Sequence, residues 1–167
     1  MSSTGHPEKK QTNTPEIVFS MGDPNGIGPE ITLKALHQLV DSIKFKPVIA
    51  CDQEYLKSLA GDLGLSLPWN RIEIVPTGDS RFRPSWGKVE KRAGELALAS
   101  LETAAALCRE RNIPLLVTAP VNKEALRLAG FRFPGQTEFL ADAFSSENYC
   151  MAFLSRSFHL LLATIHI

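Results

Sequence analysis

A glycine-rich turn between an apolar run and the start of a helix constrains the fold of this chain most. Glu16–Met21 is a short, mostly apolar run rich in strand formers, and Gly22–Gly28 holds three glycines and a proline that cannot continue a strand. Pro29 and Glu30 suit a first helical turn, where proline needs no backbone donor and a carboxylate favours the positive end of the helix dipole. This order of strand, turn and helix predicts the opening unit of an α/β fold.

The same alternation continues along the chain. The predicted helices run from Pro29 to Val40, from the Asp52 cap through Leu59, from Lys88 to Arg111, from Lys123 to Ala129 and from Glu138 to Phe144, with Thr137 as the cap of the last. The further predicted strands are Lys46–Cys51, Arg71–Val75, Leu115–Thr118, Asn148–Leu154 and Phe158–Ile167. We therefore expect a largely parallel sheet flanked by helices, with a local antiparallel pair at the turn Ser155–Ser157.

Composition excludes several classes of partner. The 167 residues carry 18 basic and 18 acidic side chains, so charge gives no reason to expect nucleic acid or an anionic membrane as a partner. No segment is long and apolar enough to span a bilayer. The cysteines Cys51, Cys108 and Cys150 are odd in number and far apart, which favours reduced thiols and a cytoplasmic location.

The chain is predicted to divide into three parts. Residues 1–14 are polar and indicate a disordered leader, residues 15–130 a first α/β domain, and residues 131–167 the start of a second domain. The last predicted strand is apolar up to Ile167, and such a strand must be covered on both faces and paired at its edge. We expect that the segments that cover it are missing and that the fold is truncated before its second half.

The glycine turn, Gly22–Glu30, has two interpretations. Free N–H groups at a helix N-terminus can bind an anion. However, Ile31 stands where a dinucleotide fingerprint needs its third glycine, and no Gly-Lys-Ser/Thr follows as in a phosphate-binding P-loop. A tight turn that packs the helix against the sheet is the favoured interpretation.

Two later motifs place polar residues beside predicted strand and helix ends. Asn122 and Lys123 follow the strand Leu115–Thr118, and the carboxyl ends of parallel strands are where α/β proteins bind ligands. Lys123 could bind a carboxylate or phosphate or be simply solvated, and Asn122 could equally be a helix cap. Gln136 and Thr137 offer an amide and a hydroxyl before a helix, for contact with a phosphate or hydroxyl group or for capping.

His166, near the end of the last predicted strand, is the candidate metal ligand or acid–base group. A lone histidine there is more often structural, and His159 on the same strand is expected to face the other side. No His/Cys/carboxylate spacing typical of zinc and no nucleophile elbow occur in the sequence. Any metal at His166 must recruit ligands from elsewhere.

Taken in order, these motifs resemble the 4-hydroxythreonine-4-phosphate dehydrogenase family. The matching segments are Met21–Ile31, Gly87–Gly94, Val117–Leu126, Ala129–Gly130, Gly135–Ala141 and Thr164–His166. The resemblance implies an isocitrate/isopropylmalate dehydrogenase-like fold, homodimers of two-domain subunits, and NAD or NADP with a divalent metal (zinc, magnesium, cobalt or manganese) as cofactors. It also implies a small phosphorylated amino-acid substrate, and neither nucleic acid nor membrane as partner.

The same resemblance implies an activity and site residues. The family oxidises 4-phosphohydroxy-L-threonine with NAD(P), and the product loses carbon dioxide to give 3-amino-2-oxopropyl phosphate for pyridoxine and pyridoxal phosphate biosynthesis. His166 matches the first of three metal-binding histidines, and Thr137 matches a substrate contact. Gln136 stands where the family usually has histidine, and it keeps hydrogen-bonding ability for a substrate contact.

On this interpretation the chain is the N-terminal half of such an enzyme and is inactive alone. The open alternatives are a dehydrogenase for a cis-dihydrodiol carboxylate and a non-catalytic binding module that keeps the enzyme fold.

Overall fold

The central element is a four-stranded, fully parallel sheet. The structure, a computed structural model, describes residues 14–39, 42, 44–78 and 82–163, so the predicted leader lies outside the described residues except for Thr14. The strands are β1 (Glu16–Ser20), β2 (Lys46–Ala50), β3 (Glu73–Val75) and β4 (Leu116–Thr118). Their spatial order is β3-β2-β1-β4, so the sheet grows in one direction from β1 and then reverses to place β4 on the other side.

Five helices accompany the strands in the described part of the chain. They are α1 (Gly28–Leu39), α2 (Gln53–Asp62), α3 (Lys91–Glu110), α4 (Lys123–Leu128) and α5 (Gln136–Ala143), and a 3-10 turn, Trp69–Arg71, precedes β3. Asp52 caps α2 as predicted, with its side chain accepting a hydrogen bond from the N–H of Tyr55 at 2.7 Å. The α/β architecture with a parallel sheet between helices is confirmed. Among the described residues, no helix combines the length and apolarity needed to cross a membrane.

Two apolar cores lie on opposite faces of the sheet, because neighbouring strand residues point in opposite directions. Ile49 and Cys51 join Leu33 and Leu56 in the core beneath α1 and α2. Val18, Val48 and Ala50 join Ala104 and Leu107 in the core beneath α3. β1 and β2 are thus covered on both sides, which holds their carboxyl ends in fixed positions.

A four-membered ion-pair network ties together the amino end of the sheet. Glu73 accepts hydrogen bonds from Lys46 Nζ at 2.5 Å and from Arg111 Nη2 at 2.7 Å. Glu16 accepts from Lys46 at 3.0 Å and lies 3.8 Å from Arg111 Nη1. The bonds from Arg111 and Lys46 lower the pKa of Glu73 to about 2.

A small antiparallel hairpin, separate from the main sheet, follows α5. It consists of β5 (Ala152–Leu154) and β6 (His159–Leu161), and Ser155 and Phe158 close the turn predicted at Ser155–Ser157. Every residue of both strands is exposed, including Leu154 at 75%. A two-stranded hairpin without apolar cover is marginal in water.

Several helices and strands begin or end at other residues than predicted. The observed strands β3 and β5 are shorter than Arg71–Val75 and Asn148–Leu154, and α3 begins at Lys91 rather than Lys88. Of the predicted strand Phe158–Ile167, β6 covers His159–Leu161, and the last four residues lie outside the described ones. The cap predicted at Thr137 is wrong: Gly135 precedes the helix, which begins at Gln136, so Thr137 lies within the first turn. α2 ends at Asp62, three residues beyond the predicted end at Leu59, and Gly64, with a φ of +65°, follows its C-cap. The division near residue 130 stays a prediction.

Candidate functional site

The glycine turn fills the point where the strand order reverses, between the ends of β1 and β4. Gly22 has a φ of +69°, and a Cβ there would lie only 2.2 Å from the carbonyl oxygen of Pro120. The N–H of Asp23 donates to that same oxygen at 3.0 Å. A Cβ on Gly28 would lie 2.6 Å from the carbonyl oxygen of Met21. These glycines therefore allow backbone segments to touch.

The polar groups of the turn are used within it. Asp23 Oδ1 accepts from the N–H of Asn25 at 2.8 Å, and the carbonyl of Asp23 accepts from Gly26 N–H at 3.0 Å. Burial raises the pKa of Asp23, the Asn25 N–H opposes that rise, and the nearby charge of Glu90 adds to it. This geometry fits the packing interpretation of the motif, because these N–H groups already have partners.

Asn25 connects the glycine turn to the segment that leads into α3. Its side-chain amide donates to the Lys88 carbonyl at 3.0 Å and to Glu90 at 3.1 Å, and its Oδ1 accepts from Ser85 N–H at 2.8 Å. Only 2% of Asn25 is exposed. Sequence reasoning missed this role, since the bonded residues lie more than fifty positions away and no local pattern marks them.

A cavity of about 30 Å³ lies beneath the turn and is lined in part by Met21, Cys51, Tyr55 and Ser100. Burial raises the pKa of the Cys51 thiol to about 12, so this thiol stays protonated and is a poor nucleophile. The Tyr55 hydroxyl donates to the Pro24 carbonyl at 3.1 Å. Such a volume is large enough for a water molecule but far smaller than a substrate site.

The second motif forms the start of α4, directly beyond β4. Asn122 caps this helix, with its Oδ1 accepting from Ala125 N–H at 3.0 Å. α4 is pressed against α3, because a Cβ on Gly94 would lie 1.9 Å from the carbonyl oxygen of Ala125. Lys123 is the first residue of α4 and is exposed. The fold thus fixes the backbone from which the Lys123 side chain extends.

An aromatic cluster positions the third motif. The rings of Phe131, Phe133 and Phe139 lie 5.5–5.8 Å apart, centroid to centroid, and join the loop before α5 to the helix itself. Gln136 and Thr137 are the first two residues of α5, and both are half-buried. The predicted contact pair therefore stands on a loop-to-helix junction that three rings hold in place.

An open cavity of about 630 Å³ brings the second and third motifs together. Its walls include Lys123 and Gln136 as well as the apolar side chains of Leu126, Phe131 and Phe133, whereas Thr137 is not among them. The Gln136 side-chain oxygen is buried and has no hydrogen-bond partner among the described residues. A buried acceptor without a partner costs free energy unless a ligand or water completes it. This cavity is the candidate binding site, and its size suits a small metabolite.

Of the charged side chains on the cavity wall, Glu124 and Arg127 form an ion pair with each other. Arg127 donates to Glu124 through Nε at 2.8 Å and Nη2 at 2.6 Å. This pairing lowers the pKa of Glu124 and raises that of Arg127. Lys123 makes no ion pair within the described ranges. Lys123 is consequently the cavity cation that remains available to a ligand.

The described residues do not contain a complete binding site for the metal that the family resemblance implies. His166 lies outside them, His159 is exposed on β6, and no three His, Cys, Asp or Glu side chains within the described part of the chain converge to hold an ion. The closed glycine turn likewise offers no dinucleotide cradle in the described region. The described residues therefore do not form a metal centre by themselves.

Comparison with known proteins gives a consistent result. The model of the pyridoxal phosphate biosynthetic protein PdxA family matches residues 21–167. The D-threonate 4-phosphate dehydrogenase of Salmonella typhimurium is 33% identical, over 92% of this chain and 51% of its own length. The 4-hydroxythreonine-4-phosphate dehydrogenase of Prosthecochloris aestuarii is also 33% identical, over 89% of this chain and 50% of its own.

Solved structures show the same fold. A 4-hydroxythreonine-4-phosphate dehydrogenase from Burkholderia phymatum superimposes with a TM-score of 0.77 at 24% identity, over 93% of this chain and 51% of the other. A terephthalate 1,2-cis-dihydrodiol dehydrogenase from Burkholderia xenovorans gives a TM-score of 0.58 at 27% identity, over 77% and 40%.

The chain spans about half the length of the curated relatives it matches. The family match nevertheless covers the glycine turn, the start of α4, the Gln136–Thr137 pair and residues up to Ile167. This chain belongs to the pyridoxal phosphate biosynthetic protein PdxA family.

Proposed function

We propose that this chain forms the N-terminal half of an NAD(P)-dependent dehydrogenase that acts on 4-phosphohydroxy-L-threonine. Oxidation of the hydroxyl group β to the carboxylate would give a β-keto acid, which loses carbon dioxide to leave 3-amino-2-oxopropyl phosphate for pyridoxine and pyridoxal phosphate synthesis. The observation that carries this proposal is the cavity beyond β4, which is lined by Gln136, a residue whose side-chain oxygen is buried without a partner. Family membership supports the reaction class.

In this proposal Gln136 and Thr137 contact the substrate, and His166 is one metal ligand. The dehydrogenase would take NAD or NADP together with a divalent ion: zinc, magnesium, cobalt or manganese. A Gln136 amide can both donate and accept, and the Thr137 hydroxyl stands one residue further along α5. The remaining metal ligands and the nicotinamide contacts would come from the half of the family that this chain does not span.

The proposal extends to assembly and location. We expect homodimers of complete subunits, as the family resemblance implies. The exposed apolar hairpin, with Phe153, Leu154 and Leu161 each more than half exposed, supports cover by further polypeptide. Free Cys51, Cys108 and Cys150 support a reducing, cytoplasmic location.

A second candidate substrate is D-threonate 4-phosphate, because a relative named for it is as similar to this chain as the one named for 4-hydroxythreonine 4-phosphate. D-threonate 4-phosphate carries a hydroxyl group on the carbon next to the carboxylate, where 4-phosphohydroxy-L-threonine carries an amino group. A cis-dihydrodiol carboxylate is a third candidate, supported by the fold likeness to a terephthalate dihydrodiol dehydrogenase. A non-catalytic binding module is the remaining alternative, which the chain's half-length match leaves open.

A chimera tests these candidates. The chain would replace the matching half of the Salmonella typhimurium relative, and NAD(P) reduction would be followed at 340 nm with each of the three substrates and each metal. We expect turnover of 4-phosphohydroxy-L-threonine by the chimera and none by the 167-residue chain alone. Preference for D-threonate 4-phosphate would select the second candidate. A folded chimera that reduces NAD(P) with none of the substrates would refute the dehydrogenase proposal.

A further inference from the structure

Residues 82–90, which lead into α3 and which we call the strap, are held to the glycine turn mainly by polar contacts. Asn25 bonds to the strap through its side-chain amide and also through its carbonyl oxygen, which accepts from the N–H of Gly87 at 2.8 Å. Residues 83–90 are all exposed or half-buried, and Trp86 is 55% exposed. A segment with few buried apolar contacts opens locally at a low cost in free energy, so the strap is able to open without unfolding of the sheet.

The strap covers the small cavity beneath the glycine turn. Phe82, its first residue, lines that cavity and packs its ring edge-on against Tyr55, with the ring centroids 6.3 Å apart. Cys51 lines the same cavity and is buried. Movement of the strap away from Asn25 and Tyr55 would therefore open the cavity and expose the Cys51 thiol to reagents in solution.

Two carboxylates meet where Asn25 holds the strap. The Asn25 N–H donates to Asp23 Oδ1 at 2.8 Å, and the Asn25 side-chain amide donates to Glu90 Oε2 at 3.1 Å. Glu90 stands at the N-cap position of α3 but its side chain makes no capping bond, so its carboxylate is bonded to Asn25 instead. Two carboxylates that share one neutral partner repel each other whenever both are ionised.

The charge on Asp23 is unfavourable while the strap is closed. Burial raises the pKa of Asp23, the bond from the Asn25 N–H opposes that rise, and the charge of Glu90 adds to it. Burial also raises the pKa of the neighbouring Tyr55 hydroxyl and Cys51 thiol, so both stay neutral and neither compensates the charge of Asp23. Opening lets water reach the Asp23 carboxylate and returns its pKa towards the ordinary value. By linkage, the closed form is favoured as the pH falls and disfavoured as the pH rises through the raised pKa.

We propose that the strap is a pH-sensitive closure of the cavity beneath the glycine turn: acid tightens it, because Asp23 becomes neutral beside Glu90, and neutral pH loosens it. The strap continues directly into α3, where Gly94 closely approaches the backbone of Ala125 in α4. Its opening is therefore next to the helix that lines the candidate binding cavity. The strap has this property whichever substrate the protein binds.

Cysteine labelling of the 167-residue chain measures the opening of the strap. The Cys150→Ser variant, which lacks the exposed thiol, would be treated with a disulfide reagent that reacts at acid pH, and the labelled residues would be identified by mass spectrometry. Cys108 lies in the core beneath α3 and reports unfolding of the sheet, so Cys51 should react faster than Cys108. After correction with a short peptide thiol, Cys51 labelling should rise by about threefold to tenfold between about pH 4 and 7.

Two conservative variants separate charge from packing. Asp23→Asn and Glu90→Gln each remove one carboxylate but keep an oxygen that can accept a bond from Asn25. Each should slow Cys51 labelling at pH 7 by about threefold and flatten its dependence on pH, because the repulsion is gone. A merely structural role for either carboxylate predicts faster labelling instead. Glu102→Gln, which removes an exposed carboxylate in the middle of α3, is the matched control and should leave labelling unchanged.

Three outcomes would overturn the inference. Equal labelling rates for Cys51 and Cys108 would mean that the cavity opens only when the sheet unfolds. Faster Cys51 labelling in both conservative variants would show that the carboxylates hold the strap closed rather than loosen it. A pH dependence that persists in Asp23→Asn would remove Asp23 as the group that senses pH.

Discussion

The glycine turn after β1 and the cavity beyond β4 lie at the same edge of the sheet but differ in how their polar groups are engaged. In the turn, Asp23 and Asn25 are buried and hydrogen-bonded, and the backbone of Gly22 touches that of Pro120. In the cavity, Gln136 keeps an acceptor without a partner and Lys123 is unpaired among the described residues. The glycine turn is thus structural, as the favoured interpretation of its sequence has it, and the two later motifs line the candidate site.

Gly22→Ala should cause the largest loss of stability, because it places a side chain in the closed glycine turn. The new Cβ would meet the Pro120 carbonyl oxygen at 2.2 Å while the residue keeps a φ of +69°. We expect a loss of about 3–5 kcal/mol in the free energy of unfolding, measured by urea denaturation. Gly64→Ala is the matched control, because its φ is +65° with nothing within 4 Å, and it should cost only about 1–2 kcal/mol. Equal losses would mean that backbone strain alone, rather than contact with Pro120, explains the glycine.

Asn25→Ala should have the next largest effect. The substitution removes three part-buried hydrogen bonds of the Asn25 side chain, to Ser85, Lys88 and Glu90. We expect a loss of about 2–3 kcal/mol and faster amide exchange in residues 85–90. Asn70→Ala, at an exposed site in the 3-10 turn, should change stability by less than about 0.5 kcal/mol. Unchanged exchange in residues 85–90 would contradict the role assigned to Asn25.

Glu73→Gln removes the central carboxylate of the ion-pair network at the amino end of the sheet. The pKa of Glu73 is lowered from 4.5 to about 2, so its contribution to stability is complete above pH 4.5 and is lost as the pH falls towards 2. Lys46 and Arg111 are 41% and 36% exposed, and screening by water therefore reduces that contribution to about 1 kcal/mol. Urea titrations of the wild type between pH 2 and 7 should show this loss, and Glu73→Gln should flatten it. An unchanged acid limb would exclude Glu73 as its source.

Local chemistry made much of the fold predictable, and long-range contacts account for what was missed. Asp52 and Asn122 were recognisable as caps because the capping bond spans three residues. The late start of α3 was not, because Asn25 holds residues 85–90 outside the helix from far away in the sequence. Thr137 resembled a cap by composition, but the helix begins two residues earlier than predicted, at Gln136, next to the loop that the aromatic cluster around Phe131 joins to it.

The sequence predicted individual residues of the candidate site but not that they line the same cavity. Lys123 and Gln136 were each identified as possible ligand contacts. Only the packing of α4 and the 131–135 loop shows that both enter one cavity. The ion pair that engages Arg127 and leaves Lys123 available depends on side-chain conformation, which sequence spacing only permits.

The smallest expected effects come from Ser20 Oγ and Gln136 Oε1, the two buried side-chain atoms without a hydrogen-bond partner in the described part of the chain. Ser20→Ala and the nearly isosteric Gln136→Met each remove such an atom, so each should leave stability unchanged or raise it by about 1 kcal/mol in thermal or urea unfolding. The two sites differ in setting, because Ser20 is enclosed at the end of β1 whereas Gln136 lines the cavity, so the pair tests whether a buried acceptor lacks a partner in both places. A clear loss of stability in Gln136→Met would show that its amide already has a structural partner, and the contrast between a satisfied turn and an unsatisfied cavity would then fail.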